Sequence, residues 1–384
     1  MVIRPTRGNG PRRHGEGVQH IPDVGPADLD VSVYSDPQRY ELERTKVLRH
    51  SWLVAARSEE IPKPRDYVVY EGHGETVVIV RRDDGTLSAF HNVCQHRGAR
   101  IATQPSGHCD RHFVCPWHGW AYDLDGSIKG VPDRGDFAAC QLKDLHAPSV
   151  AVEEWGGWVW IFLSPSAAMP NFADYLGEVG GELAAYRMDE MFLAEKRVYE
   201  VPVNYKAIVD GFNELYHIAE LHHVPRAGVE TGRDTAYHIL GRHSMMVVPL
   251  DPVSHAQLVE TGDHQATVTC HYVVFPNCVF NNLPNHLQVF NPIPTGPHTT
   301  KFICWELQYR SDDAKYRQEV DMAWTGLKRI VEEDVFIFNQ LAATRDSMAY
   351  RTNRFNEREC KPTVYHETMA RMVGDNRRIP VRRR

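Results

Sequence analysis

Long apolar runs are missing from this 384-residue chain. Nothing approaches the ~18 consecutive apolar residues that mark a membrane-spanning helix, so no membrane partner is expected. Residues 1–30 are rich in Arg, Gly and Pro and lack the apolar stretch of a secretory signal, which makes a cytoplasmic location the expectation. A surplus of positive charge is missing as well. The 43 Lys and Arg are outnumbered by 50 Asp and Glu, for a net charge of −7, which argues against a nucleic acid held by its phosphates. The eight cysteines, at 94, 109, 115, 140, 270, 278, 304 and 360, lack framework spacing and are expected to be mostly reduced thiols. No internal repeat is found. No G-x-G-x-x-G fingerprint for a flavin or nicotinamide cofactor occurs either.

What is present is a pair of mixed knuckles. Cys94-Gln95-His96 is followed, after an eighteen-residue gap, by Cys115-Pro116-Trp117-His118. Two thiolates with two imidazoles suit a [2Fe–2S] cluster in which one iron keeps sulfur ligands and the other takes nitrogen, the Rieske type. Structural zinc also accepts two cysteines and two histidines, but zinc fingers pair like ligands within a knuckle. Here each knuckle holds one of each, which favours the cluster.

The length suits about two domains. A helix is expected after Asp36-Pro37, since Asp caps helices and Pro fits the first turn. From Ser51 the period shortens to two, and Asp83-Asp84-Gly85 signals a hairpin. The strand over 87–93 delivers Cys94, Phe113-Val114 delivers Cys115, and Trp155–Leu163 closes a small antiparallel β domain. The Ser- and Pro-containing stretch 164–170 is the best boundary. The expected division is an arm and helix over 1–50, a cluster domain over 51–165 and a second domain over 166–384. The second domain reads as strands near 192–202, a helical segment from Asn204 to His222, a long β region from Tyr237 to Tyr309 and a helix over 312–343. That order implies an α+β fold, a curved antiparallel sheet with helices on one side.

A second set of ligands lies in this domain. His217 and His222 form H-x4-H. Residues five apart on a regular helix diverge by about 140°, so a shared ion requires a π-bulge or a break near Glu220. Glu214, three residues before His217, is placed to hold its imidazole. Asp210 falls on the same face. The C-terminal helix carries an apolar stripe at Val320, Trp324, Leu327, Val331, Phe338 and Leu341, and Asp334 is in register with it. An acid within such a stripe must be paired, bound to a metal or at a functional opening. Glu332 and Glu333 lie off the stripe and are expected in solvent. Two histidines and one carboxylate suit non-haem Fe(II) that activates O2.

With both motifs in this order, residues 35–345 resemble the Rieske non-haem iron oxygenases, the aromatic-ring-hydroxylating oxygenase α subunits. The resemblance implies an antiparallel β Rieske domain followed by a helix-grip (START/Bet v1-like) catalytic domain. Cys94, His96, Cys115 and His118 would hold the [2Fe–2S] cluster, and His217, His222 and Asp334 the mononuclear Fe(II). Glu214 would link His217 to His118 of a neighbouring subunit in a head-to-tail homotrimer, with Asp210 beside the iron. O2 would be the co-substrate. NAD(P)H would supply electrons through a separate reductase, with or without a ferredoxin, and the trimer could carry a small β subunit. Ile208, Phe212, Val274, Phe280, Leu287 and Phe290 are candidate pocket residues, and their apolar character implies hydroxylation of an apolar aromatic or polycyclic small molecule. The alternative within the family is a monooxygenase or demethylase acting on an N-methyl, O-methyl or quaternary ammonium compound. Outside the family's activity, the chain could be a Rieske electron carrier without a catalytic iron.

Overall fold

A computed structural model of the chain describes residues 24, 26–137, 142, 145–166, 168–223, 235–249 and 251–375. They divide into two compact units. One is Arg49–Phe172, and the other combines the chain up to Leu48 with everything from Ala173 on. Most of the Gly- and Arg-rich arm, Cys140 and the basic end beyond 375 lie outside the described residues.

The chain opens with strand β1 (Ala27–Asp30), a helical turn α1 (Ser32–Ser35) and helix α2 (Pro37–Lys46). Asp36 caps α2 by accepting the Gln38 N–H at 2.8 Å, and Pro37 fills the first helical position, as its fixed φ suits. The helix belongs to the second unit, where Lys46 donates to the Val373 carbonyl at 2.9 Å.

The first unit is built from β2 (Leu53–Arg57), β3 (Asp66–Gly72), β4 (Glu75–Arg81), β5 (Leu87–His91), β6 (Ser106–His108), β7 (Phe113–Val114), β8 (Ala121–Tyr122), β9 (Ile128–Gly130), β10 (Ala151–Trp155) and β11 (Trp158–Phe162). They form three antiparallel sheets, ordered β5-β4-β3-β6, β7-β8-β9 and β10-β11-β2. The hairpin expected at 83–85 joins β4 to β5, with Gly85 at φ +83°, where a side chain would be strained. Val78, Val80, Phe90, Phe113 and Tyr122 make a core that also encloses Cys94 and Cys115.

The second unit continues through α3 (Phe172–Leu176), α4 (Glu178–Ala184), β12 (Met191–Val201), α5 (Tyr205–Gly211), α6 (Ile218–Leu221), β13 (Ala236–Leu240), β14 (His243–Val248), α7 (Pro252–Thr261), α8 (His264–Thr267), β15 (Thr269–Val274), β16 (Cys278–Asn282), β17 (His286–Gly296), β18 (Thr299–Tyr309), α9 (Ala314–Thr344), β19 (Thr352–Phe355) and α10 (Cys360–Val373). Seven antiparallel strands run in the order β12-β18-β17-β16-β15-β14-β13, and β19 pairs with β1. Pro292 and Pro294 are tolerated in β17 because its pairing with β16 ends at Phe290, so the missing N–H groups break no ladder on that side.

The sheet grips α9. Val273, Val279, Phe290, Phe302 and Cys304 project from one face into a core shared with Trp324, Leu327, Val331 and Phe338 of the helix. Asp313 caps α9, and the stripe expected from the sequence is buried except at Leu341, which is exposed near the helix end. Helices are not confined to that face. Tyr272 projects the other way, where its hydroxyl meets Glu182 of α4 at 3.4 Å, so the one-sided packing expected from element order is incomplete.

Pleat parity also sorts the candidate pocket residues. Ile208, Phe212 and Phe290 lie in the α9 core. Val274, Phe280 and Leu287 alternate with its members Val273, Val279 and Phe290 in the paired strands β15–β17. They therefore project from the opposite face, because neighbours along a strand point to opposite sides.

Candidate metal centres

The two knuckles of the first unit share one hydrogen-bond pattern. The Cys94 N–H donates to Ala99 O at 2.8 Å and Cys94 O accepts from Gly98 N–H at 2.8 Å. Likewise the Cys115 N–H donates to Trp120 O at 2.8 Å, and Cys115 O accepts from Gly119 N–H at 3.1 Å. Each loop closes through a glycine at positive φ, +78° at Gly98 and +71° at Gly119, which is why a glycine follows each histidine so closely. The first loop is anchored by fully buried Asn92, whose side-chain oxygen accepts from Ile101 N–H at 2.9 Å and Ala102 N–H at 2.7 Å.

The four side chains converge. Both cysteines are buried and form no disulfide among the described residues. The His96 and His118 rings lie 4.5 Å apart, and His96 stacks on Trp120 at 5.1 Å. The buried His96 Nδ1 has no hydrogen-bond partner among the described residues, so a nitrogen is available inside the loops. Burial pushes the Cys94 thiol up as a free acid, an imbalance a metal bond to thiolate removes. These groups fit a cluster with two sulfur and two nitrogen ligands.

Tyr122 donates to Cys94 Sγ at 3.2 Å. Hydrogen bonds to cluster sulfurs stabilise the more negative, reduced form. Tyr122→Phe should therefore lower the reduction potential by about 50 mV, from a bond of ~1–2 kcal/mol and 59 mV per tenfold change for one electron. A spectroelectrochemical titration would read this, and an unchanged potential would remove Tyr122 from the tuning of the cluster.

In the second unit the chain from Asn204 to His222 is not one helix. Asn204 caps α5 by accepting Lys206 N–H at 3.1 Å, but α5 ends at Gly211. The break falls at 212–217, earlier than expected near Glu220, and the short α6 begins after it. His217 precedes the first residue of α6 and His222 follows the last. Placing both at the ends of one turn, rather than inside a regular helix, brings their rings to 5.1 Å.

Asp334 completes the group. Its Oδ1 lies 3.3 Å from His222 Nε2 and 3.8 Å from His217 Nε2, and one ligand atom from each of the three residues falls within 4.8 Å of the others. Ligands held ~2.1 Å from one ion stand about 3–4 Å apart, so the spacing fits a metal. The other Asp334 oxygen is buried without a hydrogen-bond partner among the described residues.

Both imidazoles are held from behind by carboxylates. Glu214 accepts from His217 Nδ1, and Glu333 pairs with His222 Nδ1 at 2.8 Å. These contacts leave each Nε2 free for a metal. Burial disfavours the His217 cation, but the hydrogen bond and charge of Glu214 outweigh it and hold the pKa above its usual value. Glu333, expected in solvent, thus belongs to the site, whereas Glu332 is exposed. Asp210 is placed elsewhere. It accepts from Tyr34 Oη at 2.5 Å and pairs with His366 Nε2 at 2.9 Å, outside the ligand group.

The sheet face under α9 carries two adjacent lines of paired residues. One is apolar: Val273, Val279, Phe290 and Cys304. The next is polar throughout: His271, Asn281, Gln288 and Glu306. No motif marked this line. The available signal was parity, since Glu306 falls in phase with Phe302 and Cys304 in an apolar strand.

Two family descriptions match the chain, the Rieske [2Fe–2S] domain over residues 51–146 and the ring-hydroxylating α subunit catalytic domain over 188–375. The chain belongs to the Rieske oxygenase α-subunit family. Its cofactors are accordingly a Rieske [2Fe–2S] cluster and a mononuclear iron. One relative is the glycine betaine monooxygenase oxygenase subunit of Chromohalobacter salexigens, 33% identical over 52% of this chain and 44% of that protein. Another is the carnitine monooxygenase oxygenase subunit of Acinetobacter baumannii, 31% identical over 53% of this chain and 57% of that one. The matched stretches thus span about half the length of these curated relatives. Among solved structures, a quaternary ammonium Rieske monooxygenase in complex with L-carnitine superposes with a TM-score of 0.76 at 22% identity, covering 91% of this chain and 96% of that one. The helix-grip fold of the second unit is shared with it. Among the described residues no helix is long and apolar enough to cross a membrane.

Proposed function

We propose that this Rieske oxygenase chain is the oxygenase component of a multicomponent monooxygenase whose substrate is a quaternary ammonium compound or related N-methyl amine. The observation that carries the oxygenase reading is the His217–His222–Asp334 group in the same chain as the knuckles. An electron carrier has no use for three convergent ligand groups, two of them buried, backed by two carboxylates. The ammonium reading is supported by the substrates named for the relatives and by the polar line beneath α9. It is preferred to the apolar ring substrate expected from composition, since half of the apolar pocket candidates face away from α9.

In this reading Cys94, His96, Cys115 and His118 hold the cluster, and His217, His222 and Asp334 hold the iron. The bound iron supplies the centre for O2 activation, and the cluster supplies electrons. Glu214 orients His217 and fixes which of its nitrogens carries the proton. Asp210, hydrogen-bonded to Tyr34 and His366, positions the end of α5. The overall change consumes O2, two electrons and two protons. One oxygen atom enters a C–H bond beside the nitrogen and the other leaves as water. The resulting N–CH–OH group then breaks its C–N bond, giving an aldehyde, an amine and a proton. The electrons come from NAD(P)H through a separate reductase, with or without a ferredoxin. The working unit is a cytoplasmic homotrimer in which Glu214 faces the neighbour's cluster.

The test is substrate-dependent O2 uptake by cluster- and iron-loaded protein with a surrogate reductase. Trimethylammonium compounds are expected to give one aldehyde per O2 consumed. Uptake with polycyclic hydrocarbons alone, yielding cis-diols, would replace this substrate assignment.

A further inference from the structure

The polar line is incompletely satisfied. Asn281 Nδ2 donates to Gln288 Oε1 at 2.7 Å, and Gln288 Nε2 meets His286 Nε2 at 3.1 Å. Among the described residues, however, Asn281 Oδ1 and His271 Nδ1 are buried without a hydrogen-bond partner, and the buried Glu306 carboxyl has only the Gln308 side chain and no paired cation. Glu306 is fully buried. Buried polar groups in folded proteins are nearly always paired, so a line of orphans points to a ligand.

A matching orphan of opposite charge approaches from α10. Lys361 is also fully buried, and its Nζ has no partner among the described residues. Its neighbour Cys360 packs with Tyr237 and Met246, and Met246 is paired across the sheet with His271. Lys361 therefore stands at the His271 end of the line, and its charge, after burial, helps hold the His271 pKa down to about 3. Glu306 stands at the other end, three strand spacings away, ~14 Å along the sheet. The ligand triad is near enough for its charges to act on neighbouring groups of this face. The charge of His217 reaches His271, and that of Asp334 reaches Cys304, which is next to Glu306 on the same face.

Each group is costly to bury alone. Burial pushes the Glu306 carboxyl up to about 9 and pulls Lys361 down to about 7. Lys328, the cation beside Glu306, is engaged with Glu195 at 3.3 Å. A ligand with a cation at one end and an anion at the other would relieve both ends at once.

We propose that Glu306 and Lys361 are the two ends of a zwitterion-binding site, Glu306 taking the quaternary ammonium group of the substrate and Lys361 its carboxylate. This rests on the ammonium reading above and narrows it to trimethylammonium carboxylates. The apolar line beside the polar one covers the methyl and methylene groups. Asn281 and Gln288 lie between the two charges, where they accept or donate to polar groups on the connecting chain.

The test uses cluster- and iron-loaded protein, calorimetric affinities and three probes. These are 4-(trimethylammonio)butanoate, its methyl ester, which masks the anion, and 5,5-dimethylhexanoate, which replaces the cation by carbon. Wild type is expected to prefer the zwitterion over each of the others by at least about tenfold, the lower range for a buried charge partner. Glu306→Gln should abolish the preference over 5,5-dimethylhexanoate and keep that over the ester. Lys361→Met should do the reverse. Glu306→Asp and Lys361→Arg, which keep the charges, should retain both preferences, and unchanged cluster absorption and iron content establish that each variant is folded. Wild-type preferences surviving in Glu306→Gln or Lys361→Met would overturn the assignment. Turnover of ammonium compounds without any preference for a carboxylate would overturn it while leaving the proposed function standing. Ring hydroxylation with no ammonium turnover would remove both.

Discussion

Replacing His217 by alanine should abolish turnover, with a fall of more than about 10³-fold, while leaving the visible spectrum of the cluster unchanged. The variant should also lose the mononuclear iron and keep the iron of the cluster. The reasoning is local. His217 and His222 sit at the two ends of one short helical turn, and Asp334 reaches them from α9 with an oxygen 3.3 Å from His222 Nε2. Removing one of three protein ligands leaves a pair that no longer fixes the ion, and the alanine also strips Glu214 of its imidazole. Because the knuckles lie in a separate compact unit with their own core, the change should not reach them. Metal analysis, visible absorption and O2 uptake on one preparation separate these effects. Retained turnover would show that His217, His222 and Asp334 do not hold the catalytic iron.

The second large effect concerns stability. Lys206 and Glu43 are both fully buried and form an ion pair at 2.5 Å that ties α5 to α2. Burial pulls the Lys206 pKa down, and Glu43 opposes that pull. Lys206→Met removes one of the two cations on Glu43 and leaves the buried carboxylate with Arg39 as its remaining partner. The expected cost is about 3–5 kcal/mol, the range for breaking a buried pair from one side. In thermal unfolding that corresponds to a drop of roughly 4–6 °C for a chain of this size, from an unfolding entropy of about 2.1 cal/mol/K per residue. Adding Glu43→Leu should restore most of the loss, because replacing both partners by apolar groups removes the desolvation cost along with the attraction. Arg39, which also contacts Glu43 at 2.9 Å, keeps Asp375 at 2.5 Å in the double variant. A single variant as stable as wild type would mean that the pair contributes nothing to holding the helix that leads to His217.

The site was unevenly legible. The knuckles could be read because their ligands, loop glycines and closing hydrogen bonds all lie within a few residues. Asp334 could be read because one acid interrupts an otherwise apolar helical stripe. Glu333 could not, since its role depends on where α6 crosses α9 and not on the period of α9 itself. The helix breaks at Gly211-Phe212-Asn213, where the glycine and asparagine are ordinary stop signals, and not near Glu220. Glu306 was hidden between Trp305 and Leu307 in a strand that reads as core, although its parity with Cys304 placed it inward. Lys361 carried no local signal at all. Its burial comes from α10 docking on strands more than a hundred residues earlier. Val274, Phe280 and Leu287 look like pocket residues by their apolar character, but pleat parity turns them to the other face.

The central claim is that two iron centres share this chain, the second held by His217, His222 and Asp334. Anomalous diffraction at the iron edge, from crystals of iron-loaded protein, tests it most directly. The account predicts an iron peak bounded by His217 Nε2, His222 Nε2 and the Asp334 carboxylate, with separate iron density between the Cys94–His96 and Cys115–His118 loops. Iron at the loops with none among His217, His222 and Asp334, or zinc in place of iron at the loops, would contradict it.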